Sequence, residues 1–169
     1  MKRAGRTTPT RRAGTAERRD AVRISRVQAA DMPYVVALDR RVTGIAKKAY
    51  WQSLFALYGK PRLSGRFFLV ARRTDGRGEP ILGFIIGEVR AWEFGSAPCG
   101  WVFGLSVHPE ARLAGVGGAM FDAITAEFRR AGVKKMRTMV ARDDLLPLRF
   151  FRSEGMMAGP YIQLEMDLD

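Results

Sequence analysis

The stretch VHPEARLAGVGGAM, residues 107–120, decides how this chain is read. It follows WVFGLSV at 101–107, whose Trp101, Phe103, Leu105 and Val107 alternate to one side as in a strand, and it runs into a segment of helical period. The stretch is therefore a strand-to-helix turn. Glycines at 115, 117 and 118 leave the backbone bare where the first helical N–H groups lack intrahelical partners and the helix dipole is positive. Such a turn is an anion cradle. Arg112 just ahead of it adds a charge-assisted contact of roughly 1.5 to 3 kcal/mol, so a phosphate or diphosphate is the natural guest.

Three other patterns fail on the letters. No GxxxxGK followed by Ser or Thr exists, which removes the P-loop. A dinucleotide fingerprint beginning at Gly115 would put its last glycine on Met120, and no acidic residue ends the next strand. GLSVH at 104–108 carries His108 where a nucleophile elbow needs glycine.

Outward from the turn, the helix runs from about Ala114 to Ala131 with Val116, Met120, Ile124 and Phe128 on one face, and Gly132 stops it. Upstream, AVRISRV reads as a strand. AADMPYVVALDRRV reads as a helix with Asp31 at its N-cap and Pro33 in its first turn. A second helix covers about Ala46 to Tyr58, with Tyr50, Trp51, Leu54, Phe55 and Tyr58 on one face. RFFLVARR and ILGFIIGEVRAW, joined by TDGRGEP, form an antiparallel hairpin. Downstream, VKKMRTMVA is a strand, DDLLPLRFFRSEG is a short helix opened by Asp143 or Asp144 and closed by Gly155, and YIQLEMDL is a final strand. The order β-α-α-β-β-β-α-β-α-β predicts a mixed α/β sheet with helices on both faces.

Composition agrees with one ordinary domain over residues 21–169, long enough to bury roughly 70% of its unfolded surface. Cys99 and His108 are the only residues of their kinds, so no disulfide framework or multi-histidine metal site is expected within one chain. The longest apolar stretch, ILGFIIG at 81–87, is far too short to span a bilayer. The net charge is +12. Residues 1–20 carry seven cations against two acids and no large apolar residue, which reads as a flexible basic arm on a cytoplasmic protein. The arm supports at most weak, salt-screened attachment to nucleic acid.

The turn resembles the acetyl-CoA signature of the GNAT superfamily of N-acetyltransferases, V-x-P-x-x-[RQ]-x-x-G-[IV]-G, matched by Val107, Pro109, Arg112, Gly115, Val116 and Gly117. RVQAADMPYVVAL resembles the opening strand and helix of that family, and LRFFRSEGM its late helix. The resemblance implies a GNAT-like fold with a central, mostly antiparallel, twisted sheet and about four flanking helices. It implies acetyl-CoA as acyl donor, with the diphosphate on the amides of Leu113, Ala114, Gly115, Val116, Gly117 and Gly118 beside Arg112. The pantetheine arm would run along Leu105, Ser106 and Val107 like an added strand, and a backbone amide there would polarise the thioester carbonyl. Gly104 fits the bulge that this family places in that strand.

The chain departs from the family where Asp144 and Phe151 stand in place of its usual asparagine and tyrosine, and Pro147 in place of a small alanine. A phenyl ring donates no proton to a departing thiolate, which leaves Tyr161 as the candidate acid. The strand at 100–107 has no carboxylate, which leaves Glu88 as the candidate base, with Glu93 beyond it. Acetyl transfer needs a neutral amine, and at pH 7 deprotonation costs roughly 4.6 kcal/mol for a lysine but about 1 kcal/mol for an α-amine. The expected acceptor is thus a small-molecule or peptide amine of low pKa, in a pocket lined by Tyr50, Trp51, Phe55, Trp92 and Phe94. The alternative is a non-catalytic acyl-CoA-binding or regulatory domain. A homodimer is compatible with either.

Overall fold

The computed structural model describes residues 22–60, 65–76, 78 and 80–168, so the basic arm read over residues 1–20 lies outside them. The chain divides into a unit ending at Thr138 and a second beginning at Met139. The first unit holds strands β1 (Val22–Arg26), β2 (Arg66–Arg73), β3 (Ile81–Arg90), β4 (Cys99–Val107) and β5 (Met136–Thr138). Helices α1 (Met32–Thr43) and α2 (Lys48–Tyr58) lie between β1 and β2, and α3 (Val116–Arg130) between β4 and β5. The strands form one sheet in the order β1-β2-β3-β4-β5, antiparallel except for the parallel β4–β5 pair. The expected mixed, mostly antiparallel sheet is present.

Each face has its own core, set by alternation along the strands. Phe68, Val70, Phe84 and Ile86 point to one face and meet Val35, Leu38, Trp51, Leu54 and Tyr58 of α1 and α2. Trp51 anchors this side, with its ring edge-on to Phe84 at 4.8 Å and its Nε1–H donating to buried Asp39 at 2.8 Å. The opposite face takes α3, where glycine makes room: a Cβ at Gly87 or at Gly100 would run into the Phe128 ring. Phe67 packs edge-to-face on the same ring at 5.5 Å. Gly44 ends α1 in the left-handed region at φ 77°, and Gly132 follows α3 at φ 80°.

The structure corrects four details. Asp31 does sit at the N-cap of α1, but its carboxylate does not cap that helix. It accepts the Gln28 N–H at 2.6 Å and takes both terminal nitrogens of Arg72 at 2.5 Å, because a buried carboxylate with a cation in reach bonds the cation. The strand read over VKKMRTMVA shrinks to Met136–Thr138. The expected one-sided alternation of Trp101, Phe103, Leu105 and Val107 is interrupted: Gly87 faces Val102 while Ile86 faces Gly104, so Phe103 is an extra residue in β4. A bulge of one residue sends everything beyond it to the other face. Trp101 lies opposite Glu88 on the α1–α2 face, whereas Leu105 and Val107, opposite Ile85 and Gly83, lie on the α3 face.

The second unit contains α4 (Leu145–Ser153), with Asp144 at its N-cap position and Gly155 at φ 86° beyond its end. The final strand expected from YIQLEMDL is not formed. Alternation alone does not make a strand without a ladder partner, and Ile162, Leu164, Met166 and Leu168 stay exposed. Among the described residues, no helix is long and apolar enough to cross a membrane.

Candidate active site

The site is built around the bulge in β4. Pairing between β4 and β5 runs only from Gly100 to Val102, so beyond the bulge β4 turns an edge away from β3 that β5 does not cover. The His108 N–H donates to the Leu82 carbonyl at 2.7 Å, which fixes the phase of the antiparallel ladder. By its alternation the amide of Ser106 faces β3, while those of Leu105 and Val107 face the open edge. Of the three residues expected along a pantetheine arm, Leu105 and Val107 thus offer strand-like hydrogen bonds. Ser106 instead turns its side chain to the α1–α2 face, opposite Phe84, where its Oγ is buried and finds no hydrogen-bond partner among the described residues.

Past Val107 the chain makes a single 3-10 turn, Pro109–Ala111, and then leaves regular structure. Arg112 is extended, Leu113 is left-handed at φ 68°, and Gly115 is left-handed at φ 79° as the N-cap of α3. Leu113 is fully exposed at 103%, so no packing repays its unusual backbone. Gly115 supplies no capping side chain, no acidic residue occupies the first turn of α3, and the Gly115 carbonyl accepts from Ala119 at 3.0 Å. The amides of Val116, Gly117 and Gly118 precede that bond and are the ones an α-helix leaves without a carbonyl. Exposed Arg112 stands beside them. These donors, two of them on glycines and with no acidic residue in the first helical turn, fit a diphosphate.

His108 sits between strand and turn, buried at 4% exposure. Its Nε2 meets an Nη1 of Arg41 in the last turn of α1, and its Nδ1 faces the Glu110 N–H at 3.3 Å.

At the other end of β4 the chemistry lies in side chains. Glu88 accepts the Tyr58 hydroxyl at 2.6 Å and the Arg90 Nε–H at 2.9 Å. Arg90 lies over the Trp101 ring at 4.5 Å, Arg66 over the Tyr58 ring at 5.4 Å, and Tyr58 is edge-on to Phe103 at 5.3 Å. Burial, then the hydrogen bond to Glu88 and its negative charge, push the Tyr58 hydroxyl up to about 12. For Glu88, burial acts to raise the pKa, but the hydrogen bonds from Tyr58 and Arg90 and the charges of Arg90 and Arg66 outweigh it and hold the carboxyl below its ordinary value. Glu88 is therefore an ionised anchor whose protonation works against the bonds and charges that hold it.

The aromatic residues expected to line one pocket differ in burial, although Tyr50 is edge-on to Trp51 at 5.3 Å. Trp51 is core, while Tyr50, Trp92 and Phe94 are exposed and Phe55 is half-buried. Trp92 and Phe94 stand on the β3–β4 connection with left-handed backbones, φ 60° and 46°. In the second unit, Asp144 begins α4 without a side-chain cap, Phe151 is edge-to-face with Phe150 at 5.2 Å, and Tyr161 is 60% exposed. Sequence reasoning missed two contributors. Tyr58 was visible only as one more aromatic on a helix face, although a tyrosine there carries a polar tip that seeks a partner. Arg41 carried no signal at all, since His108 lies 67 residues away.

The chain matches the family model for the acetyltransferase (GNAT) family over residues 47–156. A search of curated proteins finds no match in sequence. Among solved structures, it is similar to the aminoglycoside N-acetyltransferase AAC(6')-Iy in complex with CoA, with TM-score 0.73 and 14% identity over 86% of this chain and 94% of that one. It is also similar to the aminoglycoside 6'-N-acetyltransferase AAC(6')-Ih from Acinetobacter baumannii, with TM-score 0.71 and 13% identity over 88% and 99%. A transcriptional regulator from Bacillus halodurans C-125 has TM-score 0.69 and 20% identity over 87% and 99%. At these identities the likeness is one of fold.

Proposed function

The chain belongs to the GNAT acetyltransferase family, and from that premise we propose that it moves the acetyl group of acetyl-CoA to a primary amine of low pKa by direct attack in a ternary complex. The observation that carries this reading is the pairing of two features along one line. The bare amides of Val116, Gly117 and Gly118 lie one short turn beyond the edge of β4 at Leu105 and Val107 that β5 does not cover. The first suits the diphosphate and Arg112 adds charge, while the second suits the amide-bearing arm. Asp144 and Phe151 enter as cofactor contacts only through the family resemblance. Acetyl-CoA supplies the activated acyl group.

The bulge at Phe103 marks where the arm would end, so the amine would arrive from the N-terminal half of β4. There Glu88 is the negative group closest along the strands. Held ionised by Tyr58 and Arg90, it suits attracting an ammonium better than taking its proton. A site with a base so occupied favours acceptors that are already largely neutral at pH 7. Tyr161 is the proposed donor to the thiolate, with water as the simpler source. The test is thiol release from acetyl-CoA across a panel of arylamines, α-amines, aminoglycosides and lysine peptides. Arylamines and α-amines reacting fastest supports the reading, and lysine side chains reacting fastest overturns it.

A second reading, a non-catalytic acyl-CoA-binding or regulatory domain, is favoured by Phe151 in the tyrosine position and by the depressed Glu88 carboxyl. Micromolar CoA binding with no turnover on any amine would select it.

A further inference from the structure

A strained turn needs bracing, and the cofactor turn has little of its own. Leu113 holds a left-handed backbone that is strained for a non-glycine residue, and its fully exposed side chain returns no packing. Downstream the turn is anchored by α3. Upstream it is anchored by His108, whose backbone N–H, backbone carbonyl and Nε2 all have partners. The N–H donates to Leu82 on β3 at 2.7 Å, and the carbonyl accepts from Ala111 at 2.8 Å. Nδ1 faces the Glu110 N–H at 3.3 Å, and Nε2 faces Arg41 of α1. A guanidinium has no lone pair to offer, so Nε2 is the accepting nitrogen of this contact. A residue needed only to fill space would be apolar, because a buried imidazole is costly unless it is bonded.

We propose that His108 is a positioning residue. Through it, helix α1 holds the turn from Pro109 to Gly115 in the shape that presents its amides to the diphosphate of coenzyme A. This rests on the reading of that turn as the diphosphate site. It adds a link between α1 and the cofactor turn, so that an exposed arginine on a helix that does not touch the phosphates governs their affinity.

The test is calorimetric titration of the full chain with CoA and, separately, with pantetheine, which lacks the diphosphate. The variants are Arg41→Met, His108→Asn and the pair together. Asn keeps a polar side chain of similar reach beside Glu110 but loses the acceptor for Arg41. Each single variant is expected to raise the Kd for CoA by about 10- to 150-fold, the worth of a charge-assisted hydrogen bond, and to leave pantetheine within twofold. The double variant is expected to match His108→Asn alone, because both changes remove the same contact. Equal CoA affinity in Arg41→Met and wild type, equal losses for CoA and pantetheine, or additive effects would each overturn the proposal. Should His108→Asn fail to fold, Arg41→Met decides by itself, since Arg41 is exposed at a helix end. Wild-type protein that binds no CoA overturns the diphosphate reading itself, a result distinct from variants that bind as well as wild type.

Discussion

Strand β4 is two regions joined at the extra residue Phe103, and they work by opposite means. From Gly104 through Gly118 the chemistry lies in the backbone: amides on an open edge, then amides at a helix start, with glycines at 115, 117 and 118. From Cys99 to Phe103 it lies in side chains, where Glu88, Tyr58, Arg90, Arg66 and Trp101 share hydrogen bonds and ring faces drawn from four elements. The first region should be the more sensitive to added Cβ atoms, with charge entering through Arg112 and Arg41, and the second the more sensitive to loss of a charged side chain.

The largest effect is expected under the backbone-led half. A Cβ at Gly83 would lie 2.7 Å from the Ser106 carbonyl oxygen and 2.7 Å from the Met120 Cε. Gly83→Val is expected to destabilise the fold by about 3 kcal/mol in denaturant titration, the upper part of the range for overpacking a tight core. A loss below about 1 kcal/mol would mean the sheet yields easily and the contrast is weaker than described. Next comes Gly115→Ala, which places a side chain at φ 79°. It is expected to cost about 1 to 2 kcal/mol of stability and to weaken CoA binding, because the N-cap must move to relieve the strain.

The side-chain half answers to pH. Tyr58 titrates at about 12 when folded against 10.0 ordinarily, so its contribution is complete below pH 10 and is lost as pH rises toward 12. Glu88 is depressed below its ordinary 4.5, so its contribution is complete above that value and is lost as the carboxyl protonates on acidification. In Glu88→Gln, absorbance near 295 nm should show the late-titrating tyrosine moving down toward 10, while the Kd for CoA stays within twofold. A Kd change of tenfold would show that the two halves are not separate. The smallest effect is expected for Leu113→Gly, under about 1 kcal/mol in stability, since relief of the left-handed strain is offset by a freer unfolded chain.

The same contrast explains what could be read from the letters. Backbone sites need glycines at fixed spacing next to a strand and a helix, and that pattern is local: Gly115, Gly117 and Gly118 announced the turn, and Val116, Met120, Ile124 and Phe128 announced the helix behind it. The antiparallel sheet was equally legible from alternation and turns. The bulge was legible only as a glycine at 104, and its consequence, Leu105 and Val107 changing faces, depends on register against β3, which no single strand encodes. The Glu88 cluster was half seen. Its carboxylate was picked out, but of the partners that depress it only Arg90 is near in sequence, while Tyr58 and Arg66 come from α2 and β2. The last eight apolar-alternating positions misled because a strand pattern carries no information about a partner.

The central claim, that the turn after β4 clasps the diphosphate of coenzyme A, is tested most directly by amide-resolved NMR of isotope-labelled protein titrated with CoA. The account predicts that the N–H signals of Leu113, Ala114, Gly115, Val116, Gly117 and Gly118 move most, that those of Leu105 and Val107 move with them, and that Ser106 moves less. Saturable shifts confined to other residues, or no shifts at millimolar CoA, would contradict it.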